Sequence, residues 1–72
     1  MSFQAYLDNV EAKTGKSAED LKAIATEKGL ADANGFAPGV KATAIVDWLK
    51  QDFDLGHGHA MSIVAYIKGK RN

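Results

Sequence analysis

Apolar residues recur every three or four positions in four separate stretches of the chain, and the glycines and the single proline gather at the edges of those stretches. That spacing matches one face of an α-helix, and few segments show the strict alternation of a half-buried strand. In the first stretch Phe3, Tyr6, Leu7 and Val10 form one apolar stripe, Ser2 can accept from the N–H groups of the opening turn, and Gly15 can take the left-handed conformation that ends it. Lys13 suits the negative end of that helix. The second stretch opens at Ser17, which with Asp20 makes a capping box carrying Asp in place of the usual Glu or Gln. It closes at Lys28-Gly29-Leu30, where Leu30 can fold back on the last turn. Leu21 and Ile24 are its only large apolar anchors, beside Ala18 and Ala25, so this helix is expected to be the most weakly held. In the third stretch Ala42, Ile45, Val46, Leu49 and Phe53 trace the clearest stripe. In the fourth, Ala60, Ile63, Val64 and Ile67 face inward, Gly69 is the stop, and Lys68, Lys70 and Arg71 favour the negative end of the helix.

The spacing predicts an all-α domain, a compact bundle of four short helices roughly over 3–13, 18–28, 40–53 and 58–68. Residues 29–39 hold three glycines, Asn34 and Pro38 and are expected to be an internal loop pinned by Phe36. The last two helices are expected to pair antiparallel across the Leu55–Gly58 turn.

Composition narrows the function classes. A single domain of 72 residues and 7.7 kDa buries only about 60% of the surface its unfolded chain exposes. A deep catalytic pocket is therefore not expected, and no residue is assigned a catalytic role. The chain has no Cys, which removes disulfide staples, thiolate catalysis and Cys-based metal sites and leaves stability to packing alone. No apolar run approaches the ~18 residues that span a bilayer, and Met1-Ser2-Phe3-Gln4 lacks the basic start and apolar core of a secretory signal, so a cytoplasmic protein without membrane contact is expected. Nine basic and nine acidic side chains cancel, so the chain lacks the strong positive field that drives non-specific nucleic-acid binding. Residues 1–36 carry four basic and six acidic groups and residues 37–72 five and three, a mild polarity of −2 against +2.

Three constellations are candidates for chemistry. His57 and His59 lie beside Asp52 and Asp54, but residues two apart on a helix point about 200° from each other. A turn residue and a locally bonded first-turn residue are expected there, with no metal and no cofactor. Gly56-His57-Gly58 can expose backbone N–H groups just before a helix, where anions are attracted by those donors and by the dipole. With His59, Lys68, Lys70 and Arg71 this gives the alternative function, a binder of phosphate or of the nucleic-acid backbone. The arrangement also distantly resembles a helix-hairpin-helix motif, with His57 where a hydrophobic residue belongs. A plain interhelical turn is the preferred reading. Base readout is not expected, because the outward positions of the final helix offer Ser62, Tyr66 and Lys68, not the side chains that pair bidentately with base edges.

The third constellation is apolar. Trp48 projects about 110° from the centre of its helix stripe, and Met61 and Tyr66 lie off the inward stripe of the last helix. Trp48 is balanced between core edge and interface, and all three are candidates for a docking surface. The expected function is thus a non-enzymatic helical interaction module that binds a protein partner or its own copy.

The segments Ser2-Phe3-Gln4-Ala5-Tyr6-Leu7, Thr14-Gly15-Lys16-Ser17, Trp48-Leu49-Lys50 and Gly56-His57-Gly58-His59-Ala60-Met61 together resemble a bacterial family of short proteins catalogued as domain of unknown function 4287. The resemblance covers nearly the whole chain and implies a bacterial, intracellular protein. It brings no substrate, cofactor or catalytic residue to carry over. In that family a Gly often stands where this chain has Asp54, and a Pro where it has Ala18. Asp54 makes the turn before His57 less hospitable to an anion.

Overall fold

The protein is described over residues 2–71 by a computed structural model. Met1 and Asn72, the ends of the domain expected over 1–72, lie outside the described residues. In chain order the elements are α1 (Phe3–Thr14), α2 (Ala18–Glu27), the short strands β1 (Ala31–Asp32) and β2 (Gly35–Phe36), α3 (Ala42–Phe53) and α4 (His57–Lys68).

Helix ends follow the capping chemistry of the sequence. Ser2 Oγ accepts from the Ala5 N–H at 3.1 Å, and the left-handed Gly15 closes α1 by donating to the Glu11 carbonyl at 2.8 Å. Ser17 and Asp20 make the full capping box, each accepting from the other's backbone N–H at 3.1 Å. Such caps are each worth about 1 kcal/mol. At the end of α2, Leu30 donates to the Ala25 carbonyl and Gly29 to that of Thr26, the paired bonds of a Schellman ending. The helices begin elsewhere than expected at two points. α3 starts at Ala42 instead of 40, and α4 at His57 instead of 58. Their caps, Lys41 and Gly56, make no side-chain capping bond, so neither start carries a polar signature.

The segment expected as a plain loop over 29–39 contains a small hairpin. β1 and β2 run antiparallel with Ala31 opposite Phe36 and Asp32 opposite Gly35, and Leu30 accepts from the Ala37 N–H at 3.1 Å. Asp32 Oδ1 accepts from the Asn34 N–H at 2.8 Å and tightens the turn. Strands of two residues are too short to display an alternating pattern, which is why the sequence shows only a loop. Phe36 pins this segment as expected, half-buried against the core with the Lys68 ammonium 5.9 Å from its ring centroid. Gly35 is buried at φ 127°, a conformation that favours glycine, and this lets the hairpin lie close to the Ile67 backbone.

The core is shared among all four helices. Val10, Leu21, Ile45, Leu49, Ile63 and Ile67 are its largest fully buried side chains, each worth roughly 1.5–3 kcal/mol of apolar burial. α1, α2, α3 and β2 all pack on α4, which makes the last helix the common support of the fold. The buried Leu55 anchors the connection between α3 and α4 from inside.

Candidate functional site

The inward stripe of α4 buries Ala60, Ile63, Val64 and Ile67, and one step off it stands Met61. At 40% exposure Met61 is the one large hydrophobic side chain left open among the described residues. It forms a ridge with a shallow groove on either side. Between α1 and α4 a groove of about 420 Å³ is lined by Phe3, Tyr6, Gly58, Ala65 and Lys70. Between α3 and α4 a second, of about 370 Å³, is lined by Ala42, Val46, Asp47, Lys50 and His57. Met61 borders both.

The walls of the first groove are fixed by ring contacts. Tyr6 meets His59 edge-on at 5.2 Å between centroids, and the Lys70 ammonium sits 5.3 Å from the centre of the Phe3 ring. Gly58 leaves the floor open beside Tyr6, since a Cβ there would come within 3.7 Å of the tyrosine ring. The rim of the second groove carries opposite charges one helical turn apart on α3. Asp47 and Lys50 are both exposed, and neither has an ion pair or side-chain hydrogen bond among the described residues.

The three side chains singled out for docking do not share this face. Trp48 is a core residue, 9% exposed, with its ring edge-on to Phe53 at 5.7 Å. Ile45, Val46, Trp48 and Leu49 are all buried, so the covered arc of α3 is about 160° at 100° per residue, wider than a single stripe. A side chain at the stripe margin is therefore enclosed. The indole N–H of Trp48 is buried without an acceptor among the described residues. Tyr66 is half-buried and points elsewhere, about 140° around α4 from Met61. Its hydroxyl donates to the Glu19 carboxylate on α2, and the Arg71 guanidinium lies 3.8 Å from its ring centroid. The bond to Glu19, with some burial, raises the Tyr66 phenol above its ordinary value against the opposing pull of Arg71. Of the three, Met61 is the one that faces the grooves.

Ser62, expected on the outer face, is buried, with its Oγ donating to the His59 carbonyl at 2.6 Å. A hydroxyl satisfied by its own helix can face inward at little cost.

The anion-binding set is dispersed. Gly56, His57 and Gly58 are exposed at the start of α4, and His59 is held against Tyr6. Lys68 lies some 15 Å further along the axis. Lys68, Lys70 and Arg71 each rest on a different aromatic ring, those of Phe36, Phe3 and Tyr66. Asp54 adds a carboxylate just ahead of the turn. Among the described residues no three His, Asp or Glu side chains gather closely enough to hold a metal, and no helix is long and apolar enough to cross a membrane.

Phe3, Tyr6, Asp47 and Lys50 escaped the sequence reading as site residues. Phe3 and Tyr6 belong to the inward stripe of α1 and show their half-burial only once α1 is laid on α4. The signal available was their place at the end of that stripe, ahead of the buried Leu7 and Val10.

A family described as Domain of unknown function (DUF4287) matches residues 2–69. No curated protein and no solved structure matches the chain.

Proposed function

The chain belongs to the DUF4287 family, and from that premise we propose that it is a non-enzymatic interaction module that docks a protein through the face centred on Met61. The carrying observation is the pairing of one exposed large apolar side chain with two grooves that flank it. A thioether ridge is soft and adapts to a partner's surface. Aromatic, methyl and methylene walls with a charged rim are the composition of protein-docking patches. Covering Met61 with a partner adds burial worth about 1–2 kcal/mol that the isolated chain forgoes. A cytoplasmic setting fits a cysteine-free chain held by packing alone.

The test is site-specific photo-crosslinking in the cells that make the protein. A benzophenone amino acid replaces Met61 in one variant and Ala23, exposed on the outer side of α2, in another. Defined adducts at 61 and none at 23 are expected. Equal labelling at both positions, or none at 61, refutes the docking function.

A further inference from the structure

We infer that the occupant of this face is a second copy of the same chain, joined across a two-fold axis so that Met61 of each copy enters the α3/α4 groove of the other. This rests on the docking function proposed above and names its partner. A two-fold interface uses one patch twice, so the patch must supply both the projecting and the receiving part. The Met61 face does. Met61 is exposed and immediately borders the groove lined by Ala42, Val46, Asp47 and Lys50. A different partner would need only one of the two features from this chain.

The charges on α3 suit the same arrangement. Asp47 and Lys50 stand three residues apart on α3 at the rim of the receiving groove, with no partner in their own chain among the described residues. When two α3 helices run antiparallel across a two-fold axis that crosses them between positions 48 and 49, position 47 of one copy meets position 50 of the other, and the reverse contact follows by symmetry. Each carboxylate then faces an ammonium. The formal net charge of zero adds no overall repulsion between copies.

Size sets the strength. A standard interface covers about 800 Å² and 20–30 residues on each partner, close to a fifth of the 4197 Å² that this chain exposes. The ridge and its two grooves offer roughly half that number of residues, so the dimer belongs to the weak, rapidly exchanging class.

Sedimentation equilibrium on the intact chain, from low micromolar to millimolar concentration, measures the association. Met61→Lys is expected to abolish it. Asp47→Lys and Lys50→Asp should each weaken it about tenfold, because each sets like charges opposite one another. An equimolar mixture of those two variants restores opposite charges at both contacts and should associate as the original does, as should the doubly exchanged chain. All three positions are exposed, and far-UV circular dichroism verifies that each variant is folded. A monomer at every concentration overturns the inference, and so does a dimer indifferent to the charge exchanges. The docking function is separated from this proposal by the masses of the adducts at position 61. Adducts of twice the chain mass support the second copy, adducts of other masses overturn it while leaving the docking function standing, and the absence of adducts removes both.

Discussion

Asp54 ends α3 with a left-handed backbone, φ 54°, whereas Gly15, Gly29 and Gly69 take that conformation at the other helix ends. The left-handed region costs an ordinary L-residue roughly 1–2 kcal/mol, somewhat less for Asp. Its carboxylate also lies at the negative end of the helix dipole, and both effects oppose the folded state. Asp54→Gly is therefore expected to stabilise the protein by about 0.5–1 kcal/mol, after allowance for the greater freedom of glycine in the unfolded chain. Urea denaturation of the two proteins checks this. Trp48 and Met61 give a second contrast at this scale. Trp48→Ala should cost about 3–5 kcal/mol as a core truncation, and Met61→Lys no more than about 0.5 kcal/mol. Comparable losses at the two positions would move Trp48 back to the surface. The protonated Tyr66 phenol favours the fold at neutral pH. Its phenol is raised in the folded state by the bond to Glu19, so the stabilisation is complete below the ordinary phenol value of 10.0 and is lost as pH rises through the higher folded value. Denaturation of the native chain and of Tyr66→Phe should show an alkaline loss in the first that is reduced in the second.

Among the elements, α2 has a thin hold, burying one large side chain, Leu21, beside Ala18 and Ala25, where α4 buries Ala60, Ile63, Val64 and Ile67 along with Ser62. Its amides should exchange with solvent faster than those of α3 and α4, as native-state hydrogen exchange can measure. The exposed Lys28–Asp52 pair at 3.9 Å adds little against this. How far each element was legible depends on what marks its ends. Ser2, Ser17, Gly15 and Gly69 announce boundaries because their chemistry is local, and α1 and α2 begin where those residues predict. The starts of α3 and α4 were displaced because Lys41 and Gly56 supply no capping acceptor, and the hairpin at 31–36 was missed because two-residue strands have no period to read. As a docking residue only Met61 was legible; His57, Gly58 and Lys70 also line the grooves, but their residue types pointed to an anion. A helical projection locates a side chain relative to its own axis but contains nothing about neighbouring helices. Enclosure of Trp48, the bond from Tyr66 to Glu19 47 residues away, and the meeting of Phe3, Tyr6 and Lys70 beside α4 are products of assembly.

At the scale of the whole molecule, the fold is organised around α4, against which α1, α2, α3 and β2 are packed. Ile63→Ala or Ile67→Ala should thus cost about 2–5 kcal/mol and lower protection throughout the chain, not in α4 alone. The same arrangement governs how the protein comes into being. A ribosome makes residues 57–68 after everything they support, and translation at about 5–20 residues per second leaves roughly 2–9 s between the synthesis of Leu21 and that of Ile67. During that interval Val10, Leu21, Ile45 and Leu49 have no α4 to close over them. A nascent chain stalled at Gly56 should show little helical protection, whereas one extended beyond Lys68 clear of the tunnel should be fully folded. Because α4 follows every element that packs on it, folding is expected to wait for α4, and until then the apolar side chains of the earlier helices lack their cover.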